Sequence, residues 1–82
     1  MQIRELSVSG AFEITPKLRR DDRGVFLEWY RHDVLAEAVG HPLDLRQANT
    51  SISARGVFRG IHFADVPVGQ AKYVTATRGA VI

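Results

Sequence analysis

Apolar and polar positions alternate in several short stretches of the chain, and each such stretch predicts a strand. "IRELSV" (3–8) reads as a half-buried strand. "GAFEITPKL" (10–18) reads as a second, with Pro16 marking its end or an edge position. "RRDDRG" (19–24) is polar and turn-like: Asp21 and Asp22 favour local side-chain bonding, and Gly24 tolerates φ > 0. "VFLEWY" (25–30) is a strand with bulky residues on both faces. The spacing then changes. "DVLAEAVG" (33–40) predicts the one helix, with Asp33 at its N-cap, Leu35 and Val39 four apart on one face, and Gly40 just past its end. His41-Pro42 stops it. Alternation returns in "LRQANTSIS" (45–53), which sets Gln47, Asn49 and Ser51 on one face. "VFRGIHF" (57–63) and "AKYVTATRGAVI" (71–82) are the last two predicted strands, joined across "ADVPVG" (64–69). The pattern is mainly β with one short helix, which predicts a sandwich or barrel. "RGAVI" ends in mid-pattern, so a longer domain is expected.

Composition narrows the picture. With 82 residues there is room for one small domain, and a 45% hydrophobic and 24% charged content is ordinary for a soluble protein. A chain this size gains much from a partner subunit. A net charge of +2, dispersed along the sequence, does not argue for nucleic acid. The absence of cysteine excludes a disulfide framework and a thiolate site, and fits the cytoplasm. No apolar run approaches the roughly 20 residues that span a membrane, and the N-terminus lacks the apolar core of a signal peptide.

The polar residues inside "VFRGIHF" carry the candidate chemistry. Arg59 and His62 face opposite sides by simple alternation, but a β-bulge at Gly60 would put both on one face. A hairpin centred near Pro67 sets His62 opposite Lys72, with Cβ atoms about 4.5–5.5 Å apart. Taken singly, these residues have ordinary explanations. A strand histidine is more often satisfied structurally than catalytic. Arg59 serves as an edge gatekeeper, Lys72 sits on a solvated face, Gln47 and Asn49 form a polar strand face, and Arg23 and Glu28 are surface charges. His32 and His41 flank the helix and read as structural.

The spacing of the glycines changes that weighing. Gly56, five residues, then His62 resembles the start of the cupin metal motif. Ala64 stands where a second metal histidine belongs, and Lys72, with six residues between it and Gly79, stands in place of the metal glutamate. An ammonium there repels a cation and supplies positive charge itself. At full length, "DDRGVFLEWY", "QANTSISARGVFRGIHF" and "PVGQAKYVTATRGAV" resemble the dTDP-4-dehydrorhamnose 3,5-epimerase family of metal-free, jelly-roll cupins. The likeness covers nearly the whole chain and well under half of a normal member. "RGIHFADVPVGQAKYV" is most similar to members from antibiotic deoxysugar pathways, whereas more typical members carry Gln at position 64.

The resemblance implies an antiparallel jelly-roll (cupin-like) barrel, cut short, in a single domain over residues 1–82. It implies epimerisation of a dTDP-4-keto-6-deoxyhexose at C3, C5 or both, with no cofactor and no metal, in a homodimer. His62 resembles the base. Lys72 and Arg59 resemble the cations that hold the sugar and its enolate oxygen, and Gln47 and Asn49 resemble further polar contacts. Arg23, Phe26 and Glu28 resemble contacts to the nucleotide side, supplied in the family partly by the neighbouring subunit. The family's general-acid Tyr, second His and orienting Asp lie beyond Ile82, and Tyr30 and Tyr73 are acid candidates by type only. Two other readings stand beside this one: a metal-free cupin fragment that binds a sugar nucleotide without catalysis, and a metal-dependent cupin isomerase or dioxygenase. Ala64 and Lys72 weigh against the second.

Overall fold

The computed structural model describes residues 1–67 and 69–82. Val68, within the predicted "ADVPVG" connection, lies outside the described residues. The chain divides into two units, Met1–Arg46 and Gln47–Ile82. Among the described residues the regular structure is mainly β, with four short strands and one helix.

All five elements belong to the first unit. Strands β1 (Gln2–Glu5) and β2 (Phe12–Thr15) form an antiparallel hairpin in which Ile3 lies opposite Ile14. Alternation decides the faces: within the two strands Ile3, Phe12 and Ile14 are half-buried and the other residues are exposed. On the exposed face Arg4 and Glu13 are register partners and form an ion pair of 3.1 Å. Such a cross-strand pair stabilises the register by a few tenths of a kcal/mol to about 1 kcal/mol.

The second hairpin revises the boundaries read from the sequence. "RRDDRG" is not all turn: Arg19–Asp21 forms β3, and Gly24–Phe26 forms β4. Only Asp22 and Arg23 make the turn between them. Of the predicted strand "VFLEWY", only Val25 and Phe26 are in β4. Short strands with a charged pattern still pair when the turn between them is well made, and here Gly24 takes φ +136°, which a side chain rarely adopts.

Helix α1 spans His32–Val39 and ends as its sequence predicts. Gly40 has φ 93° and donates its N–H to the Ala36 carbonyl at 2.9 Å. Its start differs from the prediction. The N-cap position is Arg31, with no side-chain cap, and Asp33 lies inside the first turn. Its carboxylate is taken instead by the fork of Arg31: Nε donates to Oδ1 at 2.8 Å and Nη2 to Oδ2 at 3.2 Å. That bond holds the Asp33 carboxyl below its ordinary pKa, and a negative charge in the first turn suits the helix dipole. Leu35, 5% exposed, is the buried apolar residue of the described chain. Among the described residues no helix is long and apolar enough to cross a membrane.

The second unit departs most from the sequence reading. Among its described residues there is no strand and no helix. The predicted strands at 45–53, 57–63 and 71–82 are therefore corrected: their alternation is present but their ladders are not. Alternation defines the face a strand would bury, but a strand forms only where another strand meets its N–H and C=O groups. Apolar residues of these stretches stay exposed, with Ile52 at 91%, Phe58 at 86%, Ile61 at 88% and Phe63 at 84%. What does form are reversals. Val57 N–H donates to the Ala54 carbonyl at 3.2 Å, and Gly69 N–H to the Asp65 carbonyl at 2.8 Å, around Val66 and Pro67.

Candidate functional site

The candidate residues fall in both units. In the first, Arg23 and Phe26 line one concavity of about 280 Å³ together with Asp21, Gly24 and Val25. The turn between β3 and β4 positions Arg23. Its backbone N–H donates to Asp21 Oδ1 at 2.9 Å, which closes the turn. Its guanidinium donates to the other carboxylate oxygen, Oδ2, from Nη2 at 2.6 Å and from Nε at 3.2 Å. One carboxylate thus does two jobs with two oxygens. The guanidinium bond first, and the backbone bond second, hold the Asp21 carboxyl below its ordinary pKa. The concavity presents a cation already directed, beside the ring of Phe26, which is 68% exposed. The flat apolar ring suits a planar base, while Asp21 offsets part of the Arg23 charge beside it. The sequence reading named Arg23 and Phe26 as site residues and gave Asp21 only local side-chain bonding in the turn, which the structure shows. The signal for Asp21 at the site was an aspartate two residues before an arginine at a turn.

Glu28, the third residue of that group, is not on the concavity. It pairs with Arg31 at 3.8 Å, where Asp33 also binds the guanidinium. These groups are exposed, and such pairs contribute little to stability.

In the second unit one pair of candidate residues meets, though not on the expected strand. Gln47 Nε2 donates to Asn49 Oδ1 at 3.3 Å. That bond leaves the carbonyl oxygen of one amide and the NH2 of the other for a ligand. Arg59 donates from Nε to Ser53 Oγ at 2.7 Å. Ser53 was not among the residues singled out from sequence. His62 and Lys72 are exposed. The chain reverses around Pro67 as expected, but no ladder pairs His62 with Lys72, because neither lies in a strand.

Gly60 also has a different role from the expected bulge. With no strand around it, a bulge is not defined. A Cβ at this position would sit 3.2 Å from Cζ of the Phe58 ring, so glycine here admits the close approach of that ring. Among the described residues, no three His, Asp or Glu side chains are grouped to hold a metal ion.

Comparison with known proteins places the chain among proteins named for epimerising dTDP-linked sugars. The family model described as dTDP-4-dehydrorhamnose 3,5-epimerase matches residues 5–82. The chain belongs to the dTDP-4-dehydrorhamnose 3,5-epimerase family. It is 64% identical over 81 residues to dTDP-4-dehydrorhamnose 3-epimerase of Streptomyces niveus, covering 99% of this chain and 39% of that one. It is 62% identical over 81 residues to dTDP-4-dehydrorhamnose 3,5-epimerase of Mycolicibacterium smegmatis, covering 99% and 40%. Among solved structures, it is similar to NovW, a 4-keto-6-deoxy sugar epimerase from the novobiocin gene cluster of Streptomyces spheroides. There the TM-score is 0.80 at 61% identity, over 84% of this chain and 35% of that one. The chain spans about two fifths of the length of the curated relatives it matches. Two relatives of nearly equal identity differ in name by one inverted carbon, so identity over this segment does not follow the number of centres inverted.

Proposed function

We propose that this chain forms part of an enzyme that epimerises a dTDP-4-keto-6-deoxyhexose at C3, C5 or both, in deoxysugar biosynthesis. The observation that carries the reading is the family match over residues 5–82, joined to relatives named for that reaction. The likeness to NovW supports the antibiotic branch. In this reading residues 1–82 are part of one cupin-like, jelly-roll domain in a cytoplasmic enzyme.

The chemistry follows from the substrate. A hydrogen on carbon beside a ketone is weakly acidic. Neutral His62 takes that proton from C3 or C5, and the C–H electron pair moves onto the C4 oxygen as an enolate. Lys72 and Arg59 supply positive charge to that oxygen. The enolate carbon then takes a proton from an acid on the opposite face, the C4 carbonyl re-forms, and the centre is inverted. Gln47 and Asn49 hold sugar hydroxyls with their free amide groups. Arg23 and Phe26 take the pyrophosphate and the base, and Glu28 adds a polar contact on the nucleotide side.

The direct test is proton exchange in heavy water. A protein of the relatives' full length, carrying these residues at 1–82, is expected to exchange the C3 or C5 hydrogen of dTDP-4-keto-6-deoxyglucose for deuterium, followed by NMR. Lysine in place of an anionic ligand makes the reaction independent of metal, so prior treatment with EDTA is expected to leave the rate unchanged. A rate that collapses with chelator and returns with Zn, Fe or Mn favours the metal-dependent reading instead.

The same reading makes the protein a homodimer. Sedimentation equilibrium of the full-length form at micromolar concentration is expected to give twice the chain mass. A folded monomer under those conditions contradicts it.

A further inference from the structure

Five arginine side chains are held by a side-chain or backbone partner, in two ways. Arg4, Arg23, Arg31 and Arg46 each bond a carboxylate, on Glu13, Asp21, Asp33 and Asp44 respectively. Arg59 is held by neutral groups. Its Nε donates to Ser53 Oγ at 2.7 Å, and its Nη2 reaches the Ile52 carbonyl at 3.5 Å. A carboxylate partner offsets the charge it orients. A hydroxyl and a carbonyl orient the guanidinium and leave its charge whole.

Local sequence produces this grip. The turn closed by Val57 N–H on the Ala54 carbonyl folds the chain back on itself. Gly56 takes φ +81° within it, and a Cβ there would meet nothing within 4 Å, so the backbone conformation and not space requires glycine. The reversal brings Ser53 against Arg59, six residues further on. Both acceptors lie on the Nε–Nη2 edge. Of the five N–H donors of an arginine, the pair on Nη1 and the second hydrogen of Nη2 remain. They form a complete end-on edge for an oxygen of a ligand.

We propose that Ser53 is a positioning residue, which through Arg59 aims an uncompensated positive charge at an oxygen of the bound sugar nucleotide. The proposal rests on the reading of Arg59 as a substrate contact given above. Serine suits the task because its hydroxyl accepts without adding charge, and its short side chain fixes the distance.

A double-mutant cycle in the full-length form tests it, with kcat and KM measured for S53A, S53T, R59A and S53A combined with R59A. S53A is expected to lower kcat/KM about tenfold, the loss of one hydrogen bond to a charged group. S53T keeps the hydroxyl and is expected to retain most of the activity. In the R59A background, S53A is expected to have no further effect. If R59A itself leaves kcat/KM at the wild-type value, the substrate role of Arg59 fails. If R59A impairs the enzyme while S53A is silent, or adds its full loss to that of R59A, the positioning role is wrong. An S53T loss as deep as that of S53A overturns it as well.

Discussion

Replacing His62 by alanine is expected to abolish deuterium exchange at C3 and C5 in the full-length form. General base catalysis contributes about 10²–10⁴-fold, so any residual rate should fall at least a hundredfold. The protein should stay folded. His62 is exposed and makes no contact on which the turns of its segment depend, and its removal leaves Ile61 and Phe63 in place. Circular dichroism and a thermal melt check the fold, and NMR of the sugar protons in heavy water checks the reaction. Nucleotide binding offers a second readout. The Arg23–Phe26 concavity owes nothing to His62, so the H62A variant is expected to bind dTDP as the wild type does. A folded H62A protein that exchanges at the wild-type rate refutes the assignment of the base.

The family pattern in the sequence names the residues proposed for this chemistry, and local spacing reads the structure around them less well. Gly40 announced the end of α1 because only a residue free of Cβ readily takes φ 93° there. Gln47 and Asn49 were placed together because residues two apart share a side in a β-like stretch. The start of α1 was misread for a physical reason. Asp33 is a good cap by type, but the neighbouring Arg31 offers its carboxylate two strong donors, and the charge-assisted fork takes it. The strands of the second unit were misread for a deeper one. Ile52, Phe58, Ile61 and Phe63 state what a strand would bury, and no local pattern states which strand will pair with it. Local spacing equally had no means of finding Ser53. Its contact with Arg59 arises from the turn at Gly56, which turns a separation of six residues into a hydrogen bond. Asp21 was within reach, since an Asx turn followed by arginine is a local device.

Lys72 provides the second large effect. Its ammonium occupies the position at which a metal-binding cupin resembles this motif but carries an anionic ligand, so the charge at that point is reversed. If the ammonium stabilises the enolate oxygen, its loss should cost what one oxyanion donor costs, about 10²–10³-fold in kcat. K72A is therefore expected to slow exchange by that factor with a smaller change in KM, because the charge it meets develops only in the transition state. K72R keeps the charge but spreads it over a planar fork larger than an ammonium, and it is expected to recover only part of the rate. The comparison separates two explanations for the loss. If K72R restored full activity, bulk positive charge near the sugar would suffice. If K72A raised KM without lowering kcat, Lys72 would hold the ground-state substrate and not the enolate. The expected pattern, a fall in kcat with partial recovery by arginine, requires a compact charge placed at one oxygen, which is the work a metal ion does in a cupin that keeps its ligands.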